Sequence, residues 1–247
     1  MDHSDISRIA HAHHPLAAPV DAVATARLLD RLSIPRDGRV VDLGCGAGEW
    51  LFALLAARPD VQAVGVDLHL HPDREERAAA RGVADRVTWV TADAATWSGG
   101  RFDAALCVGA SHAFGGYERM LDTLRAHVSP GARCLVGDGF WERPPGPAAL
   151  TALEATPEDF PDLDGLVAHA WALGWGTAYA HVSTAAEWDD YEWSWVGSLT
   201  DWALAEGRDP AEREQALGVA AEHRQGWLRG YRHELGFVTS VLVDARR

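Results

Sequence analysis

The twelve residues from Arg39 to Trp50, Arg-Val-Val-Asp-Leu-Gly-Cys-Gly-Ala-Gly-Glu-Trp, constrain this chain more than any other stretch. The β-branched pair Val40 and Val41 reads as a buried strand, and Leu51, Phe52, Leu54 and Leu55 follow at helical spacing, so the glycines mark a strand-to-helix turn. Gly44 and Gly46 permit backbone angles closed to other residues and present no Cβ to a ligand, and Gly48 lets the helix begin close to the strand. A turn of this kind holds a nucleotide-like molecule. The spacing Gly44-x-Gly46-x-Gly48 differs from the Gly-x-Gly-x-x-Gly of dinucleotide sites, and the flanking acids Asp42 and Glu49 would repel a pyrophosphate.

At these residues the sequence resembles the class I S-adenosylmethionine (SAM) methyltransferases, whose first motif is an acid followed by Gly-x-Gly-x-Gly at the same turn. SAM carries a sulfonium cation and no phosphate, which suits a glycine loop flanked by acids. The resemblance implies S-adenosyl-L-methionine as cofactor, S-adenosyl-L-homocysteine as its product, and Asp42, Gly44, Cys45, Gly46 and Gly48 as cofactor-binding residues. Asp67 ends the second apolar run, Gln62 to Asp67, 19 residues after Gly48. A carboxylate there can accept from both ribose hydroxyls. The third strand, Val87 to Val90, leads to Asp93, expected to accept from the adenine amine while the backbone at Ala94 meets the ring. Leu68, beside Asp67, and Val108, closing the fourth strand from Phe102, complete the expected cofactor set.

In this superfamily the acceptor waits at the loop after the fourth strand, here Gly109 to Gly116. His112 is a candidate base, an orienting group or a packing residue. The fifth strand, Ala132 to Gly137, delivers Asp138 at its carboxyl end, followed by Trp141. The stretches Val-Gly-Ala-Ser-His-Ala-Phe-Gly-Gly and Val-Gly-Asp-Gly-Phe-Trp also resemble a bacterial branch of small-molecule methyltransferases, whose members carry an acid at the place of Asp138 and a Trp at that of Trp141. Members of that branch can hold an aromatic residue at the place of His112. The expected catalytic set is Asp138, His112, His14 and Trp141.

The 247 residues, 47% hydrophobic and 23% charged, suffice for one large core with a helical elaboration. A net charge of -14 argues against a nucleic-acid or anionic-membrane partner, since phosphate binding needs clustered Lys and Arg. No apolar run reaches membrane-spanning length and Met-Asp-His-Ser-Asp lacks the features of a signal peptide, so a cytoplasmic, soluble protein is expected. Cys45, Cys107 and Cys134 are odd in number and sit in or beside buried strands, where they read as reduced small hydrophobes. No metal site is expected.

Four of the twelve histidines, His3, His11, His13 and His14, fall in the first twenty residues. This arm is either loosely structured or, with a helix from Val20 to Leu32, a cover for the cofactor pocket; a zinc site is a third reading, against which His11, His13 and His14 lack the spacing that puts two ligands on one helical face. After residue 140 the character changes: eight of the eleven tryptophans lie there, and Pro144, Pro145 and Pro147 read as a stiff connector. A helix from Asp164 to Leu173 and a sixth strand, Thr177 to Val182, follow. Trp188, Tyr191, Trp195, Leu199 and Trp202 then recur at spacings of three and four on one helical face. That stripe is either core or the wall of an apolar or aromatic acceptor. A second helix, Pro210 to about Glu234, precedes the last strand, Phe237 to Val243.

The expected fold is a Rossmann-like α/β three-layer sandwich: a seven-stranded, mostly parallel sheet with an antiparallel last strand and a helical lid, residues 185–234, between strands six and seven. Residues 1–35 are expected to form a covering arm and residues 36–247 the SAM-binding domain. The expected function is methyl transfer from SAM to an O, N or activated C atom of a small, possibly aromatic, acceptor. Two alternatives are a non-catalytic SAM-binding or regulatory protein and an NAD-dependent oxidoreductase.

Overall fold

The computed structural model describes residues 1–246; Arg247 and the side chains of His3 and Ser4 lie outside the described residues. In chain order the elements are α1 (His3–Ala10), α2 (Ala22–Asp30), β1 (Arg39–Leu43), α3 (Glu49–Ala57), β2 (Gln62–Asp67), α4 (Arg74–Ala80), β3 (Val87–Thr91) and β4 (Phe102–Val108). They continue with α5 (Tyr117–His127), β5 (Val128–Trp141), α6 (Pro147–Leu153), α7 (Leu163–Ala172), β6 (Trp175–Val182), α8 (Ala185–Leu204), α9 (Pro210–Arg229) and β7 (Leu235–Asp244). The seven strands among the described residues form one sheet in the order β3-β2-β1-β4-β5-β7-β6. This is the expected Rossmann-like sheet, with β7 antiparallel to β6. Helices α8 and α9 occupy the expected place between β6 and β7 in the chain.

The chain divides into two compact units. The sheet unit comprises Asp21–Gly139, Leu163–Val182 and the segment from Phe237 onward. Its central strands carry near-continuous apolar runs, because crossover helices cover both faces of a parallel sheet. Four of the five β1 residues are buried. Val40, Val41 and Asp42 of β1 pair in parallel with Ala104, Ala105 and Leu106 of β4. On its other edge β1 sets Asp42 against Gly65 and Leu43 against Val66 of β2. Strand order therefore reverses between β1 and β4, and a ligand crevice opens at the carboxyl ends of the strands at such a switch point. Cys45, Cys107 and Cys134 are all buried and free, as expected of small hydrophobes.

β5 departs from expectation at both ends. It starts at Val128, because Ser129, Pro130 and Gly131 make an irregularity inside the strand rather than a turn before it; the register shifts between Phe102↔Val128 and Ala104↔Arg133. Pro130 lacks the N–H a ladder needs, and Gly131 has φ 79°. At the far end pairing continues through Trp141, whose N–H donates to the Pro161 carbonyl (2.8 Å). Asp138 and Trp141 are thus strand residues, not loop residues.

The helical unit comprises Met1–Val20, Phe140–Asp162 and Ser183–Gly236. Its N-terminal arm is ordered: Asp2 caps α1 in a capping box with Asp5, and Ile9 and Ala10 are buried with Val196, Leu199, Ala203, Ala216 and Ala220 of α8 and α9. Pro147, expected in a connector, is the N1 residue of α6, a position where its fixed φ suits a helix. The expected single helix to Glu234 ends at Arg229 because Gly230 intervenes. A Cβ on Gly230 would lie 2.4 Å from the Gly226 carbonyl oxygen and 3.0 Å from that of Ala148, so this glycine serves close helix packing and a short 3-10 turn, Tyr231–His233, follows. Of the tryptophan stripe, Leu199 is fully buried, while Trp188, Trp195 and Trp202 are half-buried and Trp193, off the stripe, is exposed. Among the described residues no helix is long and apolar enough to cross a membrane.

One polar knot holds α8, α9 and the 3-10 turn together. The Glu192 carboxylate, 2% exposed, accepts from the Tyr231 hydroxyl (2.8 Å) and lies 2.6 Å from His223 Nε2, and the His223 ring stacks on Trp195 at 3.8 Å. Removing one member of such a buried group strands the rest without solvent. Glu192→Ala is therefore expected to lower unfolding free energy by about 3 kcal/mol in urea titration. A loss under about 1 kcal/mol would mean that water replaces the carboxylate and the knot is dispensable.

Candidate active site

The glycine loop is pinned to the end of β2. The N–H groups of Gly44 and Cys45 donate to the Val66 carbonyl at 2.8 and 3.1 Å, and the Gly46 N–H donates to Asp67 Oδ2 at 2.8 Å. All three glycines are left-handed, with φ 82° at Gly44, 50° at Gly46 and 80° at Gly48. Their surroundings differ. A Cβ on Gly44 would meet Ala110 Cβ at 2.6 Å, which joins the β1 loop to the β4 loop, and one on Gly48 would meet the Trp89 ring at 2.5 Å. A Cβ on Gly46 would meet nothing within 4 Å. Two glycines thus serve close approach within the protein, and the middle one borders open space at the switch point, a cradle suited to a ligand.

The loop is acidic in a different way from that expected. Glu49, counted among the charges facing a ligand, pairs with Arg77 and Arg81 on and just beyond α4, so its charge is already answered. The remaining acids at the loop are Asp67 and Asp42, and Asp42 holds its proton in the ligand-free protein. Asp42 ends up 2% exposed, and burial followed by the Asp67 charge pushes its pKa up to about 8. Asp67 accepts from Gly46 N–H through Oδ2 and from His69 N–H through Oδ1 (2.8 Å), which leaves a lone pair free on each oxygen. Leu68 beside it is 57% exposed, an unusual setting for a leucine. Asp93 is exposed just past β3 and accepts from Ala95 N–H at 2.9 Å, while Ala94 is buried at 4%. Val108 ends β4 half-buried, opposite Gly137 of β5. Burial raises the Cys45 thiol well above its ordinary range, so it is an inert part of the loop.

Asp138, late in β5, and His112, in the turn after β4, interact through charge. Asp138 is 9% exposed; burial raises its pKa, and a hydrogen bond from the Ser111 hydroxyl, the Gly139 N–H (2.8 Å to Oδ1) and the charge of His112 oppose that rise. Burial outweighs these partners, so the carboxyl's pKa lies above its ordinary value. His112 is exposed in a 3-10 turn, Ser111–Phe114. Sequence reasoning missed Ser111, although it lies in the loop that it singled out.

His14 and Trp141 belong to the helical unit. His14 Nδ1 donates to the Leu16 carbonyl at 2.7 Å and its ring meets Tyr191 edge-on at 5.3 Å. Trp141 is 6% exposed, donates Nε1–H to the Pro157 carbonyl (3.0 Å) and packs edge-to-face on Phe160 at 5.3 Å. Its polar handle and its ring are both committed to the protein's own packing.

Known proteins resemble this arrangement. The family profile described as a methyltransferase domain matches residues 41–134, from β1 through β5. The crystal structure of a SAM-dependent methyltransferase from Thiobacillus denitrificans in complex with S-adenosyl-L-homocysteine is 29% identical, covers 100% of both chains and superposes with a TM-score of 0.86. A SAM-dependent methyltransferase from Geobacter sulfurreducens, also in complex with S-adenosyl-L-homocysteine, is 25% identical over 96% of this chain and 97% of its own, with a TM-score of 0.86. A trans-aconitate 2-methyltransferase of Methylobacterium radiotolerans is 28% identical over 90% of this chain and 86% of its own length.

Proposed function

Because the chain belongs to the class I SAM-dependent methyltransferases, we propose that it methylates an O, N or activated C atom of a small molecule, with Asp138 as the group that holds or deprotonates the nucleophile. The observation that carries this reading is the buried Asp138 carboxyl, hydrogen-bonded by Ser111 and Gly139 and facing His112 at the strand ends. The trans-aconitate methyltransferases among its relatives support a small-molecule acceptor. The acidic chain supports it too, since a net charge of -14 offers little to a nucleic acid.

In this reading the free lone pairs of Asp67 receive the ribose diol, the Asp93 carboxylate and the Ala94 backbone take the adenine edge, and exposed Leu68 and half-buried Val108 supply apolar faces. Gly46 leaves the space the cofactor needs. The Asp42 carboxylate supplies negative charge toward the cofactor's cationic end. When bound, SAM supplies a methyl group on a sulfonium: the bond from methyl carbon to the acceptor forms, the carbon–sulfur bond breaks toward sulfur, and S-adenosylhomocysteine leaves. Asp138 takes the proton that an O–H or N–H nucleophile loses, and His112 stabilises the carboxylate before transfer and offers a route to solvent after it. Alignment of the two reactants is the larger contribution, worth roughly 7 to 11 kcal/mol in intramolecular reactions.

Calorimetry tests the cofactor half directly. The wild type is expected to bind SAM and S-adenosylhomocysteine at micromolar concentrations and to ignore NADH, and Asp67→Ala to weaken both sulfur ligands at least about 100-fold. That variant loses the diol's partner and the tether on the Gly46 N–H together. Undiminished binding by folded Asp67→Ala would remove the ribose assignment, and absent SAM binding by wild type would remove the reading altogether.

A further inference from the structure

Three histidines of the N-terminal arm contact α8, and one of them is held in a form that a proton would undo. His11 caps the C-terminus of α1 and is half-buried. Its Nδ1 lies 2.8 Å from the Ser7 carbonyl oxygen, which can only accept, so Nδ1 carries the hydrogen and Nε2 the lone pair. That lone pair accepts from the Tyr191 hydroxyl of α8 at 3.1 Å. The His14 ring meets the same tyrosine edge-on at 5.3 Å. His13 donates its backbone N–H to Ser198 Oγ at 3.0 Å, and its Nε2 lies 3.6 Å from Asp201 Oδ2. All of these groups belong to the helical unit.

A proton on Nε2 turns the acceptor into a donor and places a charge where no carboxylate is free to answer it. Glu192, next to Tyr191 in α8, has both oxygens engaged, Oε1 by the Tyr231 hydroxyl and Oε2 by His223. The other titratable groups that act on His11 are His14 of the arm and His223 of α9, and their charges oppose a further one. Burial is the largest influence and lowers the His11 pKa from its ordinary 6.5; the Ser7 carbonyl and Glu192 pull the other way without restoring it.

Docking of the arm therefore depends on pH with a definite sign. An undocked arm returns His11 to water and to a pKa near 6.5, so the undocked state binds the proton more readily. Docking is fully supported above that value and loses support as pH falls below it. His13 works in the opposite sense, since its protonation strengthens the pair with Asp201. That pair is exposed on both sides (50% and 72%), so it is worth little. Ile9 and Ala10, buried against α8 and α9, supply an apolar grip that does not titrate.

We propose that residues 1–14 form a proton-released latch: with His11 neutral the segment is clasped to α8 and α9, and acidification through the histidine range opens it while the rest of the protein stays folded. The ligand that works the latch is the proton itself, received at His11 Nε2. The latch is independent of the chemistry at the strand ends, and the methyl-transfer reading neither supports it nor falls with it.

Amide hydrogen exchange at pH 7.5 and 5.5, corrected for the intrinsic pH dependence of exchange, reads the opening. Protection of the α1 amides is expected to fall about threefold or more on acidification, against a ceiling of about tenfold set by one proton and a free-histidine pKa of about 6.5. The β4 amides are expected to keep their protection; a parallel loss there would mean global unfolding and overturns the latch. His11→Gln keeps an acceptor for the Tyr191 hydroxyl and does not titrate, and His11→Phe keeps the bulk of the ring. The α1 response is expected to vanish in both. A second reading is the proton NMR titration of the His11 ring, assigned by its absence from the His11→Gln spectrum, with a midpoint expected below 6.5. Wild-type α1 protection that does not change with pH, a response that survives in both variants, or a His11 midpoint at or above 6.5 overturns the latch.

Discussion

Asp42→Asn is expected to make the protein more stable and to strip it of most of its affinity for SAM. The carboxyl of Asp42 is buried at the end of β1, and its pKa is pushed from an ordinary 3.8 up to about 8, first by burial and then by Asp67. The unfolded chain gives up this proton near pH 4 and the folded, ligand-free protein keeps it until about pH 8, so unfolding between those limits releases a proton. Stability from this group is then full below pH 4 and drains away as pH rises to about 8, at about 1.4 kcal/mol per pH unit. Asparagine has the shape of the protonated acid and no proton to lose. It therefore recovers on the order of 4 kcal/mol at pH 7, and almost nothing at pH 4. Urea unfolding at pH 4, 6 and 8 checks this, and a gain that does not grow with pH would mean that Asp42 titrates normally. Binding moves the opposite way. A cation beside Asp42 draws the proton off, so wild-type affinity for SAM is expected to rise from pH 6 to 8, with proton release visible as a buffer-dependent heat. In Asp42→Asn affinity is expected to be flat with pH and roughly 10- to 100-fold weaker. S-adenosylhomocysteine lacks the sulfonium but keeps the ammonium group. Equal pH dependence for both ligands would put the ammonium beside Asp42, and dependence confined to SAM would put the sulfonium there.

The same comparison of burial with chemistry explains which parts of the molecule were legible in the sequence. The strand-to-helix turn was legible because glycine spacing, a preceding acid and a following apolar helix are all local signals, and the order of Asp42, Asp67 and Asp93 at successive strand ends repeats the signal. Glu49 was misjudged because its partners, Arg77 and Arg81, are 28 and 32 residues away and nothing local marks the pairing. α6 was hidden by its own start signal, since a proline at N1 and a proline in a connector look alike without the turn that follows. The end of α9 was lost for the same kind of reason: Gly230 reads as a weak helical residue until the backbone of Ala148 is seen against it. β5 ran past both of its expected ends, since pairing partners such as Pro161 for Trp141 are set by tertiary structure and not by the run Ala132 to Gly137.

Asp138 is where the catalytic reading is most exposed to refutation. Burial raises its pKa while Ser111, the Gly139 N–H and His112 pull it back, so its value rests on a balance that single substitutions can tip. As a base it acts only when ionised. With an O–H or N–H acceptor, kcat/KM is therefore expected to rise with pH through an apparent pKa above the ordinary 3.8 of a carboxylate and then level off. Asp138→Asn keeps the size and the partners but cannot take a proton, and is expected to lower kcat by about 10²- to 10⁴-fold with SAM affinity unchanged. Its acidic limb should vanish with it. His112→Ala is expected to act on the same limb in a different way: loss of a neighbouring cation lets the Asp138 pKa climb, so the limb moves to higher pH while the plateau falls less than in Asp138→Asn. The double variant separates the two roles. If His112 works only by setting the charge on Asp138, its removal costs nothing once Asp138 is already Asn, and the rates of Asp138→Asn and of the double variant coincide. If His112 is itself the base, Asp138→Asn keeps a pH-dependent limb that the double variant loses, and the assignment of the proton to Asp138 fails.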